Sequence, residues 1–145
     1  MRLVTGLCAL LITSFGAAAH DFRIGSFAVA IEGLSDPRGV DVDDGGTIYV
    51  AEATGPWIGV YGRDGRWIGR LQDANLVEPR AVAVAGGEVF VTDEGADAVL
   101  VFSSDGRLLR RWGGTGVEAG RFHGPCGVFI GEGSVPVSYT HLTLP

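Results

Sequence analysis

The chain has no lysine: its eleven basic residues are all arginine, set against seventeen acidic ones, for a formal charge of −6. No run of like charges occurs. This balance argues against a nucleic-acid surface, which needs a basic stripe to neutralise phosphates, and it suits an anionic membrane poorly. Histidine is confined to His20, His123 and His141, and cysteine to Cys8 and Cys126. No Gly-x-Ser-x-Gly, His-Glu-x-x-His or phosphate-loop pattern is present, so no catalytic constellation is legible. Glycine, by contrast, is abundant, with 24 residues.

Both ends stand apart from the rest. Arg2 precedes an apolar stretch from Leu3 to Phe15, and Ala17-Ala18-Ala19 offers a small-residue cleavage site. Residues 1–19 are therefore expected to be a secretory signal peptide, too short and wrongly flanked to anchor the chain. The mature protein would start at His20, be exported to a periplasmic or extracellular location, and contain no membrane span. Its charge would be about −7 once Arg2 leaves. Cys8 would leave too, making Cys126 the sole cysteine and an internal disulfide impossible. At the other end, Val137–Pro145 reads like one frame of the transposase adapter used in short-read library construction, and the bases preceding that frame complete a proline codon at Pro136. Residues 136–145 are accordingly expected to be an assembly scar, with His141 no ligand for anything. The other possibility is a terminal strand, since Val135-Pro136-Val137-Ser138 imitates Val89-Phe90-Val91-Thr92.

Between these ends one pattern is written twice and begun a third time. Pro37-Arg38-Gly39-Val40-Asp41-Val42 is followed by Ile48-Tyr49-Val50-Ala51-Glu52, Ile58-Gly59-Val60-Tyr61 and Asp64-Gly65-Arg66. The same order returns as Pro79-Arg80-Ala81-Val82-Ala83-Val84, Val89-Phe90-Val91-Thr92-Asp93, Val99-Leu100-Val101-Phe102 and Asp105-Gly106-Arg107. It reopens at Pro125-Cys126-Gly127-Val128-Phe129-Ile130. The spacings are 42 and 46 positions. A period of roughly 40–45 residues holding four short apolar runs is the signature of a β-propeller blade. The fold class predicted is all-β, with four antiparallel strands per blade. Blades fall at about 37–72 and 79–113, a third begins at 125, and the partial propeller occupies 20–135. Small residues in the first run suit a crowded axis, and the bulk of Tyr61, Trp67, Phe102 and Trp112 suits the outer part of a wedge. The Asp-Gly and Gly-Gly pairs supply the positive φ that tight hairpins need.

The motif Pro-x-Gly-Val-x-Val, then Ile-Tyr-Val-x-Glu/Asp, an apolar run and Asp-Gly-Arg, resembles the NHL repeat. The connector from Gly113 to Pro125 (Gly-Gly-Thr-Gly-Val-Glu-Ala-Gly-Arg-Phe-His-Gly-Pro) resembles that family's glycine-rich linker. The likeness covers about Leu34 to Ile130. It departs in the loop after the second strand, where the family often carries Asn and Arg. Here Thr54-Gly55-Pro56-Trp57 and Gly95-Ala96-Asp97-Ala98 stand instead, a change expected to remove a polar contact. The resemblance implies a propeller of six blades, of which this chain would hold about two and a half, and hence a truncated gene. The lead-in from Phe22 to Ile31 would be an outer strand of the last blade.

Candidate site residues follow from register. Arg38 and Arg80 occupy equivalent places and are expected at one mouth of the channel, with Cys126 taking the same place in the third blade. An arginine ring there suits an anionic ligand; the plainer reading pairs each arginine with an acid of a neighbouring blade. Glu52 and Asp93 end the second strands, either as contributors to a hard-cation site or as solvated or blade-bridging carboxylates. His123 and Cys126 make only half of a four-ligand zinc site. The leading functional expectation is an exported binding or interaction module that holds a protein, peptide or glycan, with no cofactor evident. The alternative is a propeller enzyme, such as the amidating lyases that cleave peptidyl-hydroxyglycine with zinc and calcium, or a lactonase. Its catalytic residues would come from blades beyond this sequence. RNA binding, known for cytosolic members of the family, conflicts with the leader and the acidic charge.

Overall fold

A computed structural model describes residues 29–116, 118, 120–131 and 134–139. The expected signal peptide, His20, most of the Phe22–Ile31 lead-in and His141 lie outside them. Ten strands and no helix are found among the described residues. The first blade is β1 (Pro37–Val42), β2 (Ile48–Glu52), β3 (Trp57–Tyr61) and β4 (Trp67–Leu71); the second is β5 (Pro79–Ala85), β6 (Glu88–Asp93), β7 (Ala98–Ser103) and β8 (Leu108–Gly113). Each is a four-stranded antiparallel sheet in simple sequence order. β9 (Pro125–Val128) starts a third unit and pairs with β10 (Val137–Tyr139). β10 falls within residues 136–145 and takes the place that β2 and β6 hold in their blades.

The two blades share irregularities as well as strands. A bulge interrupts β1–β2 between Pro37 and Gly39, and its counterpart lies between Pro79 and Ala81. Proline cannot donate to the ladder, so it is tolerated where the pairing starts. In the second blade the Thr92 hydroxyl accepts the Ala81 amide at 3.0 Å and fills the bulge; Ala51 stands at that register in the first.

Apolar burial explains why the middle strands carry hydrophobic residues on both faces. Residues 48–52 of β2 and 98–102 of β7 are buried throughout, because a neighbouring layer covers each face. One core runs across both blades, joining Tyr49, Ile58 and Leu71 to Val82, Val91, Leu100 and Phe102. A second cluster, Ile31, Ile48, Val50 and Tyr61, covers the opposite face of blade one with the lead-in residues Val29, Ile31 and Leu34. Tyr61 and Phe102 are the buried bulky residues of the third strands, whereas Trp67 on β4 is more than half exposed and meets Tyr61 edge-on at 5.3 Å.

The inner strands β1, β5 and β9 lie side by side. Gly39 shows why the first strand is built small. A Cβ there would sit 2.8 Å from the Ala81 Cα and the Arg80 carbonyl oxygen, closer than any side chain tolerates. Two positions on from Gly39, Asp41 joins the two blades by polar contact: Oδ2 accepts the Val84 amide at 2.7 Å and Oδ1 accepts its neighbour Val42 at 2.9 Å.

Candidate functional site

The strand registers place residues 35–38, 52–57, 71–80, 93–98, 113–116 and 120–126 at one rim, since Pro37 opposes Glu52, Glu52 opposes Trp57, Pro79 opposes Asp93 and Ala98 opposes Gly113. Arg38, Arg80, Cys126, Glu52 and Asp93 all belong to it. The opposite end carries the β1–β2, β3–β4, β5–β6 and β7–β8 hairpins.

Glu52 and Asp93 are neither solvated nor blade-bridging. Both are buried, at 3% and 0% exposure, and each ties down the segment that enters its own blade. Asp93 accepts three backbone amides: Val77 on Oδ2 at 2.7 Å, and Glu78 and Ala96 on Oδ1 at 2.9 Å each. Glu52 accepts Ser35 and Asp36, both on Oε2, at 3.2 and 3.1 Å. Its other oxygen, Oε1, is buried without a hydrogen-bond partner among the described residues. The loop 53–56 makes no hydrogen bond to it to match the one that the Ala96 amide makes to Asp93. The nearby carboxylate, together with burial as the larger cause, pushes the Tyr61 hydroxyl above its ordinary pKa.

The two rim arginines find acids inside their own blades and not across them. Arg38 forks onto Asp36, with Nε at 2.8 Å from Oδ1 and Nη2 at 2.9 Å from Oδ2. That guanidinium holds the Asp36 carboxyl below its usual pKa. Arg80 pairs with Glu94. Asp36 feels Arg80, and Arg38 feels Glu78 and Glu94, so the five groups form one field of alternating sign. Three carboxylates against two guanidiniums leave no excess positive charge for an anion.

Sequence reasoning passed over Asp97. It takes a left-handed conformation with φ of 49°, which short polar side chains tolerate better than most. Its Oδ1 accepts the Gly124 amide at 2.8 Å, its Oδ2 the Thr115 hydroxyl at 2.6 Å, and its carbonyl the Gly114 amide at 2.7 Å. The Gly124 amide first, then the Thr115 hydroxyl, lowers the Asp97 pKa. The connector after blade two is four residues longer than its predecessor, and Asp97 closes it. The loop 95–98 thus carries a polar contact to that connector. Pro56 stands at the equivalent place in blade one, before the shorter connector.

Cys126 is half-buried, with Sγ 3.7 Å from both the carbonyl oxygen and Oγ of Ser138 on β10. His123 is exposed and lies close enough to Asp97 to be felt electrostatically. Among the described residues no group of three histidine, cysteine or acidic side chains is placed to hold a metal ion. Away from this rim, the far ends of the inner strands frame a groove of about 290 Å³ lined by Val40, Asp41, Val82, Val84, Val128 and Phe129. Its one carboxylate, Asp41, is engaged as described above.

No protein-family model and no curated protein sequence matches the chain. Among solved structures it is similar to virginiamycin B lyase from Staphylococcus aureus. The selenomethionine-substituted enzyme is 17% identical with a TM-score of 0.56 over 72% of this chain and 34% of that one. The catalytically inactive lyase with quinupristin is 17% identical with a TM-score of 0.59 over 74% and 36%. The likeness supports the all-β propeller architecture, and this chain spans about a third of the length of those proteins.

Proposed function

We propose that this chain is part of an exported NHL-type propeller that acts as a binding module, holding a protein, peptide or glycan at the rim that contains Arg38, Arg80 and Glu94. One observation carries the reading: the blades repeat in their strands and differ in their loops at this rim. Thr54-Gly55-Pro56 stands against Gly95-Ala96-Asp97, and the second connector is longer than the first, while the registers of β1–β4 and β5–β8 match strand for strand. A rigid repeated scaffold that carries variable loops is the usual design of a recognition surface. The interleaved carboxylates and guanidiniums offer donors and acceptors to a polar ligand and favour a neutral or cationic one over an anion. No cofactor is needed for that role.

The test is to probe glycan and peptide arrays with the purified chain and with two variants. Glu94→Gln, which removes a rim charge, is expected to weaken the retained spots, and Asp44→Asn in the opposite hairpin to leave them unchanged. Binding indifferent to Glu94 would overturn the assignment of the rim. The propeller-like lyases favour a second reading, an enzyme using zinc or calcium held by residues from further blades. Turnover of a lactone or a peptidyl-hydroxyglycine by a longer form of the protein, without array binding, would establish it in place of the first.

A further inference from the structure

Charge that is scattered in the sequence is sorted by the fold. Arg63, Arg66, Arg70, Arg107, Arg110 and Arg111 lie on the outer strands β4 and β8 or in the hairpins leading into them, where Asp64 and Asp105 are the only acids. Each outer strand is last in the order of its sheet, so one backbone edge has no neighbouring strand among the described residues. An acidic chain thus carries a basic outer wall.

The two edges differ in how far their groups are already engaged. On β8, Glu88 holds Arg110 through two hydrogen bonds at 2.9 and 2.7 Å, and Arg111 donates to the Ala96 carbonyl at 3.2 Å. On β4, Arg70 is exposed and lies over the Trp57 ring at 4.9 Å, and in the hairpin just before it Arg66 has an 88% exposed side chain, with Asp64 at 3.3 Å. Trp67 and Ile68 are 54% and 63% exposed. The bulge opposite Val60 and Tyr61 pairs Trp67 with Tyr61 and Arg70 with Gly59, bringing both side chains to the face that bears Trp57. A methyl group added at Gly69 would touch nothing.

We infer that the β4 edge is a docking strand for an extended peptide of acidic and apolar residues from another protein. An open edge offers the ladder hydrogen bonds by which a peptide adds to a sheet. Trp67 and Ile68 cover apolar side chains, and Arg66 and Arg70 meet carboxylates. Arginine on an edge ordinarily deters pairing, and a second copy would bring its own arginines against these. An acidic partner turns that repulsion into attraction. An anionic polysaccharide or a nucleic acid would satisfy the guanidiniums but leave the backbone edge and Ile68 unmatched.

The probe is a fluorescent peptide of two Val-Val-Glu-Glu repeats, titrated into the whole chain by anisotropy. Reversing two charges at the β4 edge with Arg66→Glu and Arg70→Glu is expected to weaken binding about tenfold, while Arg107→Glu and Arg111→Glu at the β8 edge leave it within about twofold. A peptide of the same composition broken by prolines should fail to bind. In the unsubstituted chain, the peptide should slow hydrogen exchange at amides of β4 and not of β8, a readout independent of how the variants fold. Equal binding of the proline-broken peptide, indifference to the β4 reversal, or tighter β4-dependent binding of a sulfated oligosaccharide or an oligonucleotide would each overturn the inference.

Discussion

Replacing Asp93 should destabilise the chain far more than replacing Glu52, although the two occupy the same register. Asp93 is fully buried and accepts three amides at 2.7–2.9 Å. Hydrogen bonds to a charged group are worth about 1.5–3 kcal/mol each when lost singly. Simple addition overstates the loss, because the amides lie in part-buried segments that water re-enters, and because removing a buried carboxylate also removes its desolvation cost. About 3–4 kcal/mol is expected for Asp93→Ala. Glu52 accepts only two amides, at 3.1 and 3.2 Å, and keeps one oxygen without a donor. Glu52→Ala should then cost about 1–2 kcal/mol.

Urea unfolding followed by tryptophan fluorescence separates the two. With a slope of about 1.5 kcal/mol per molar, the midpoint should fall by roughly 2 M for Asp93→Ala and by roughly 1 M for Glu52→Ala. Asp93→Asn keeps the volume and loses the charge; it should recover only a minor part of the loss, since its amide group turns a donor toward backbone donors. Equal midpoints for the two alanine variants, or a larger fall for Glu52, would refute the claim that amide count sets the ranking. Full recovery by Asp93→Asn would show that packing, and not the carboxylate, matters at this position.

The other expectations are simpler. Gly39→Ala should destabilise by about 1–3 kcal/mol through overpacking against the β5 backbone, whereas Gly69→Ala, with open space around it, should be neutral or stabilise by up to about 1 kcal/mol; thermal melts of both variants check the contrast. The Asp97 pKa is lowered in the folded chain, so the stability it contributes is present above the ordinary carboxylate pKa and disappears as pH falls through the lowered value. Exchange of the Gly124 amide, followed from neutral pH into acid and corrected for intrinsic rates, should therefore lose protection on acidification, and Asp97→Asn should flatten that dependence. Asp41→Ala should expose the Val84 amide to exchange while leaving the β6–β7 amides protected; uniform loss of protection would mean that the bond between blades is not local.

Much of the fold was legible because the strands answer to local pattern. Apolar runs of five or six residues, Asp-Gly hairpins and a proline before each inner strand fix element type and order, and Gly39 sits at the crowded axis that small residues announced. The partners of the site residues were not legible, because they depend on the path of the loops. Nothing in the sequence separates Asp36 from Glu94 as an acceptor for a rim arginine, and the two blades use different ones. Asp97 gave no signal of its own, since a lone aspartate before an apolar run is an ordinary loop residue until its φ is known. The basic outer wall was hidden for another reason. Its arginines are spaced along two hairpins and diluted by acids elsewhere, so no like-charged run forms until strands β4 and β8 align them at the edge.

The amide just before each blade-opening proline shows how the repeat adapts. In blade one it is Asp36, held by Glu52; in blade two it is Glu78, held by Asp93; in the third unit it is Gly124, held by Asp97 of the preceding blade. The register position of Glu52 and Asp93 is occupied in the third unit by Tyr139, opposite Pro125. A carboxylate is thus kept at the amide while the strand that supplies it changes. Held from within, a blade entrance is fixed by its own second strand. Held from the blade before, it is fixed by the loop that spans the rim, and entrance and rim then move together. Ligand contact with the Gly113–Pro125 connector should accordingly be felt at β9, whereas contact with the 72–78 connector should stop at Asp93.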